Sequence, residues 1–268
     1  MEFKEIENKK SNIVKIKAKR RRKKMRVAAV LLAIFALLAC VMWVLCCTVF
    51  FPIKTIAVKG NGVYTTEQII SASGVTVGDK LFGVSENRVE KAVTTTLPYV
   101  KTLQIKRNLF DSIEIKVTET YDVYCFNNNG VFYTTDADYK ALKEFSQKPN
   151  GVTEIILTKQ PEIKLGHEIE IDENSVDLIK QIMRIFNYSN LKIDYLNISN
   201  TSSITAGIEN RFSVNLGSIE NISGKTEHLC AMIKEINVKN GAESTGKIDL
   251  SVWTSQKREG YFEETANF

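Results

Sequence analysis

Few of the residues able to do chemistry stand close together. The chain has 268 residues with two histidines, His167 and His228, and five cysteines, Cys40, Cys46, Cys47, Cys125 and Cys230. A metal centre needs such groups at short spacings, H-x-x-x-H or C-x-x-C, so that one helix face or one knuckle brings them together. Neither spacing occurs. Gly224-Lys225-Thr226 has the ending of a phosphate loop, but the glycine required five positions upstream is replaced by Ile219. No G-x-S-x-G is present, and no S-x-x-K followed by K-T-G. Asp136, Asp138, Glu168, Glu170 and Asp172 could in principle supply a carboxylate pair for cell-wall hydrolysis. Solvated surface acids need no such role. The expectation is therefore no catalytic, cofactor-binding or metal-binding residue, and a protein that is not an enzyme.

Recognition is the chemistry that remains. Ile248, Leu250 and Val252 alternate along a strand that runs from Lys247 to Trp253, and Tyr261-Phe262 follows. A strand at a sheet edge offers unpaired N–H and C=O groups to a partner strand, and aromatic side chains are favoured interface anchors. The partner-binding set is Ile248, Leu250, Val252, Trp253, Tyr261 and Phe262. Within it the first three are expected to point into the core, while Trp253, Tyr261 and Phe262 face the partner.

Charge shows what must hold that edge in place. The formal net charge of +5 is a sum of two unlike parts. Residues 1–26 carry 12 Lys/Arg and 3 Glu, net +9, whereas the other 242 residues carry 24 basic and 28 acidic groups, net −4. Behind Arg20, Arg21, Arg22, Lys23, Lys24 and Arg26 lies a run of 25 residues without charge, Val27 to Phe51. As a helix rising about 1.5 Å per residue it would cross a hydrocarbon layer of about 30 Å with some tilt. The basic flank predicts a cytoplasmic N-terminus and an outer C-terminal region. A cleaved signal peptide would have a shorter apolar stretch. Anionic lipid accounts for the basic cluster without any nucleic acid. Cys125 and Cys230, both in the outer region, leave a single disulfide open.

The outer region reads as alternating short elements. Ile53–Lys59 is a strand ending at Gly60-Asn61-Gly62; Thr65 and Gln68 make a capping box for a helix closed by Gly74. A second helix starts behind Ser85 and ends before Pro98, and strands follow at 100–107 and 112–119. Beyond them Asn129-Gly130 signals a hairpin between 121–127 and 131–135. A strand at 152–158, a helix at 174–188 capped by Asn174, and strands near 191–199, 202–208 and 211–217 come next. A helix at 224–238 and the strand at 247–253 complete the pattern. The fold class is α+β: one N-terminal transmembrane helix, a small β-α-α-β-β module, and a second, β-rich α+β domain.

Particular residues resemble one family. Ile56-x-Val58-x-Gly60-Asn61, Thr66-Glu67-x-Ile69, Gly78-x-x-Leu81-Phe82, Pro98-Tyr99-Val100 and Arg107-x-Leu109 lead in order to Ser112-Ile113-x-Ile115-x-Val117-x-Glu119. Their order and spacing are similar to the POTRA domain of the bacterial division proteins FtsQ and DivIB. Phe110 and Thr120 depart from it, standing where relatives usually have proline and a basic residue. Arg211-Phe212-x-Val214-x-Leu216-Gly217, Lys225 and Gly246-Lys247-Ile248-Asp249-Leu250 resemble the family's β domain. The resemblance implies residues 1–26 as a basic cytoplasmic segment, 27–51 as the transmembrane helix, 53–120 as the POTRA domain, 121–256 as the β domain and 257–268 as a short tail. It further implies a non-catalytic division scaffold at the septum. Residues about 247–262 would bind FtsB (DivIC) and FtsL-like partners, septal wall synthases are possible further partners, and the assembly would help regulate septal peptidoglycan synthesis. The alternatives are a membrane-tethered envelope enzyme such as a wall hydrolase, and an adhesin or sensor stalk.

Overall fold

The computed structural model describes residues 24, 25, 28–44, 51–108 and 111–265. Residues 28–44 are helical (α1) and exposed, as is Lys24. No helix among the described residues is long and apolar enough to cross a membrane. Positions 27 and 45–50 of the expected span lie outside the described residues, as do Arg20, Arg21, Arg22, Lys23 and Arg26.

Beyond α1, β1 (Thr55–Lys59), α2 (Thr66–Ser73), a 3-10 turn (Leu81–Gly83), α3 (Glu86–Thr96), β2 (Val100–Asn108) and β3 (Ser112–Glu119) follow in order. The three strands make one sheet in the order β1-β3-β2. By packing, the described chain falls into two compact units: residues up to Ala57 with Val75–Glu86 and Ile105–Ile115, and Val58–Gly74 with Asn87–Gln104 and everything from Lys116.

In the first unit Ile53, Val75, Leu81, Val84, Ile105, Ile113 and Ile115 are buried. The Arg107 guanidinium donates to the carbonyls of Leu81 (3.3 Å) and Val84 (2.7 Å), which pins the 3-10 turn. Glu86 accepts from the Ile105 amide at 3.2 Å, satisfying a donor on the outer strand β2.

In the second unit local chemistry sets α2. Thr65 accepts from the Gln68 amide and Gln68 Oε1 accepts from the Thr65 amide, the expected capping box, and Gly74 closes the helix with φ of 64°. The Glu119 carboxylate gathers the loop ahead of that helix, accepting from the amides of Gly62 (2.8 Å), Val63 (2.9 Å) and Tyr64 (3.4 Å). Glu90 takes the Leu103 amide as Glu86 takes that of Ile105.

The rest of this unit is a nine-stranded sheet in the order β12-β11-β10-β9-β8-β7-β4-β5-β6. Its strands are β4 (Tyr124–Asn128), β5 (Val131–Thr135), β6 (Ala141–Phe145), β7 (Thr153–Ile156), β8 (Ile193–Asn197), β9 (Ile204–Ile208), β10 (Phe212–Gly217), β11 (Gly246–Asp249) and β12 (Tyr261–Glu264). The β4–β5 turn is Asn129-Gly130 with both φ positive, as the two-residue hairpin requires. Three pairs are parallel and need crossovers: β5 and β6 lie in sequence between β4 and β7, and helices provide the other two. α4 (Glu173–Tyr188) joins β7 to β8, and α5 (Ile222–Lys239) joins β10 to β11. Asp172, not the expected Asn174, caps α4 by accepting from the Ser175 amide at 2.9 Å.

The core is continuous across these elements. Ile179, Ile182 and Phe186 of α4 and Leu229, Ile233 and Ile236 of α5 pack with Phe126, Leu196, Phe212 and Val214, and Met183 and Met232 are partly buried against them. Lys225 is also buried, at the start of α5. Its ammonium donates to the carbonyls of Leu216 (2.6 Å) and Ser218 (2.8 Å), tying the end of β10 to the helix. Burial lowers its pKa, because the charged form loses water there.

Candidate functional site

The C-terminal residues singled out by sequence separate in the structure. Ile248 and Leu250 are buried as expected, but Val252 is 47% exposed and Trp253 only 7%. The strand expected over 247–253 stops at Asp249. Asp249 takes the Ser251 amide at 2.8 Å and the Leu250 carbonyl takes the Trp253 amide at 3.1 Å, so the backbone turns and the inward alternation ends before Val252. The turn carries the Trp253 indole onto α5. A β-carbon built on Gly224 would stand 2.4 Å from the ring, so only glycine leaves room for it there. Trp253 is thus a core residue and not an exposed anchor.

The chain then reverses. The Thr254 amide donates to the Lys257 carbonyl at 2.9 Å, and residues 261–264 return antiparallel to β11, pairing Asp249 with Tyr261 and Gly246 with Glu264. Four of the twelve residues expected as a tail, Tyr261–Glu264, are therefore the outermost strand of the sheet. It covers the edge that sequence assigned to 247–253.

β12 is held closely. Phe262 meets Phe212 edge-on at 6.2 Å, Thr245 Oγ1 donates to the Thr265 carbonyl at 2.6 Å, and Asn240 donates to Glu264 at 3.1 Å. Gly246 permits the close approach, since a β-carbon there would lie 2.3 Å from the Glu263 carbonyl oxygen. Tyr261 is 57% exposed and its hydroxyl donates to Glu259, which also pairs with Lys257 at 3.0 Å.

Hollows lie on either side of this strand. Thr205, Ser213, Asn215, Lys247, Asp249 and Tyr261, with Ile248, Phe262 and Glu263, line one of about 430 Å³. Met232, Ile236, Gly260 and Phe262, with Glu235, Lys239 and Asn240, line a smaller one of about 210 Å³ against α5.

The opposite end of the sheet is covered at its start. The Ala141 amide donates to the His167 carbonyl (2.9 Å), the Gly166 amide to Ala141 (2.8 Å) and the Ile169 amide to Tyr139 (3.0 Å). Residues 166–169 therefore lie along the start of β6, and beyond them β6 presents charged Lys143 and Glu144.

The acidic candidates have structural work. Asp136 is buried and accepts from the amides of Asp138 and Lys140, both at 3.0 Å. Asp138 pairs with Lys101 at 2.6 Å. Asp172 caps α4, and its hydrogen bonds to Ser175 hold the carboxyl below the ordinary range. Glu168 and Glu170 are exposed with His167 on an open cleft formed by residues 157–175. No group of three His, Cys, Asp or Glu among the described residues could hold a metal ion. Cys125 and Cys230 are both free, and burial, with help from Glu154, pushes the Cys125 thiol up to about 12. Burial and the neighbouring Asp122 carboxylate likewise push the Tyr99 hydroxyl, which donates to Asp122 at 3.1 Å, up to about 12.

Similarity to known proteins agrees with this architecture. The family model described as "POTRA domain, FtsQ-type" matches residues 51–120. The cell division protein DivIB of Clostridium acetobutylicum is 28% identical over 216 residues, 79% of this chain and 84% of that protein. DivIB of Clostridium tetani is 24% identical over 75% of this chain and 77% of its own length. The cell division protein FtsQ of Streptomyces collinus is 30% identical over 138 residues, and the match spans about half of each chain, 51% and 52%. With the strand and helix order of residues 51–120 and the β-rich region behind it, these matches support the FtsQ/DivIB family of cell division proteins for this chain.

Proposed function

We propose that this protein is a non-catalytic scaffold of the division machinery, anchored by one membrane span at residues 27–51 with its N-terminus in the cytoplasm. In this reading residues 53–120 and the β domain from 121 lie outside the membrane, at the septum. β12 takes up a strand from a partner resembling FtsB or DivIC, together with an FtsL-like chain, and the assembly helps regulate septal peptidoglycan synthesis.

The observation that carries this reading is the asymmetry of the nine-stranded sheet. Residues 166–169 cover the start of the β6 end, whereas β12, outermost at the other end, carries exposed Tyr261 as well as Glu263 and Glu264. An added strand would direct alternate side chains to the two hollows beside β12, so main-chain bonds would supply affinity and the hollows selectivity. Of the acidic candidates, Asp136, Asp138 and Asp172 are held by amide bonds, an ion pair and a helix cap, while Glu168 and Glu170 stand exposed.

The test is capture of a purified FtsB/DivIC–FtsL pair by the full chain. Tyr261→Ala should weaken it about tenfold, the loss of one exposed aromatic anchor. Unchanged affinity for Tyr261→Ala and for the charge reversal Glu263→Lys would remove β12 as the docking strand.

A further inference from the structure

An apolar patch gathers where the chain leaves the uncharged run. Phe51 is the last residue of that run, and the next residues are locked to a loop about 25 positions later in sequence. The Leu81 amide donates to the Phe51 carbonyl (3.0 Å), the Ile53 amide to Asp79 (2.8 Å), and the Gly78 amide to Ile53 (2.8 Å). Gly78, with φ of 99°, makes the turn, and the Asp79 carboxylate takes the Thr76 amide at 2.8 Å. Ile53 and Leu81 point inward and are fully buried.

Their neighbours point the other way. Phe82 is 57% exposed and meets Phe51 edge-on at 5.9 Å, Val77 is 67% exposed, and Pro52 is exposed beside them. Lys80 stands exposed with these groups, and exposed Lys54 pairs with Asp111 at 3.2 Å. Two aromatic rings, a proline and a valine in a setting of lysines would be a poor surface to leave in water. They match the boundary of a bilayer, where rings and aliphatic groups sit among the headgroups and lysines meet phosphate.

We propose that the loop of residues 76–83 docks on the outer leaflet of the membrane that the same chain spans, with Phe82 and Val77 entering the interface and Lys80 reaching lipid phosphates. The occupant is a lipid surface because of continuity: Phe51 ends the run read as the span, and Phe82 touches Phe51. The module would then be held at a fixed height and tilt by two attachments instead of swinging on one. This proposal rests on the reading of residues 27–51 as a membrane span.

The experiment uses the full chain in vesicles of phosphatidylcholine and phosphatidylglycerol, with acyl chains brominated near the glycerol end to quench shallow tryptophans. In the parent protein, a second set of vesicles brominated near the middle of the acyl chains reports the span through Trp43, which lies about 12 Å inside Phe51 at about 1.5 Å per residue. In a Trp43→Phe background, Phe82→Trp reports the loop, and buried Trp253 supplies an unquenched baseline in both. Docking at about 5–10 Å depth predicts loss of about half or more of the emission added by Phe82→Trp. Quenched Trp43 with no quenching of the Phe82→Trp emission would leave the span and overturn the docking. Unquenched Trp43 would overturn the span and the docking with it. Val77→Trp in the same background gives an independent reading if the Phe82 variant does not fold.

Discussion

Replacing Trp253 by phenylalanine should cost the fold far less than replacing it by alanine. The indole is 7% exposed, so about 230 Å² of a ring system offering up to about 250 Å² has left water. At about 25 cal/mol per Å² that burial is worth at most about 6 kcal/mol, an upper bound because the unfolded chain is itself partly compact. Trp253→Ala forfeits most of it and leaves a void beside Gly224, which has no side chain to fill it. The expected loss is about 3–5 kcal/mol, a fall in Tm of about 6–20 °C for a domain of this size. Phenylalanine keeps one ring in place. It also removes the indole N–H, which is buried without an acceptor. Removing an unsatisfied donor recovers about 1–3 kcal/mol, which offsets the lost second ring. The net change for Trp253→Phe should stay within about 1 kcal/mol. Urea unfolding of the full chain followed by far-ultraviolet circular dichroism measures both variants. A phenylalanine variant as unstable as the alanine variant would refute the reasoning, since it would mean that the indole N–H is well bonded. Weak partner capture by Trp253→Ala would then report lost folding and not a lost contact.

Three further outcomes follow from the geometry. Gly246→Ala should push β12 off β11, because the new methyl meets the Glu263 carbonyl. Hydrogen exchange of residues 261–264 should accelerate at least about tenfold while that of α5 is unchanged. Cys125 should resist alkylation in the native protein and react once urea unfolds it, as judged by mass spectrometry. Its raised pKa has a definite sign: the thiol's contribution to stability is complete below the ordinary pKa of about 8.5 and is lost as pH rises toward about 12. Glu119→Ala frees the amides of Gly62, Val63 and Tyr64 and should cost about 1–2 kcal/mol, small because water reaches the exposed ones; thermal unfolding against Glu119→Gln measures it.

What sequence made legible was local. Thr65, Gln68 and Gly74 define α2 because a capping box and an αL closure involve only neighbours, and Asn129-Gly130 announces its hairpin for the same reason. The cap of α4 was misplaced by two positions, since Asp172 and Asn174 are both good caps and only the observed bond to the Ser175 amide chooses. β6 and β12 went unseen: they have five and four residues, and Tyr-Phe-Glu-Glu has no alternation to betray a strand. β12 exists because β11 is there to pair with it and Gly246 lets it close. Exposure along the C-terminal segment therefore follows the expectation at one aromatic and departs from it at another. Tyr261 faces out as expected, while Trp253 turns in because of a glycine 29 positions earlier on another element.

The covering of β6 by residues 166–169 has a consequence for assembly. A sheet open at both ends can act as a monomer for open-ended growth, each molecule accepting a neighbour on either side until a fibre forms. Covering the start of one end disfavours addition there. Addition at β12 is then preferred, so many copies of this chain can crowd together with less tendency for the sheets to propagate from molecule to molecule.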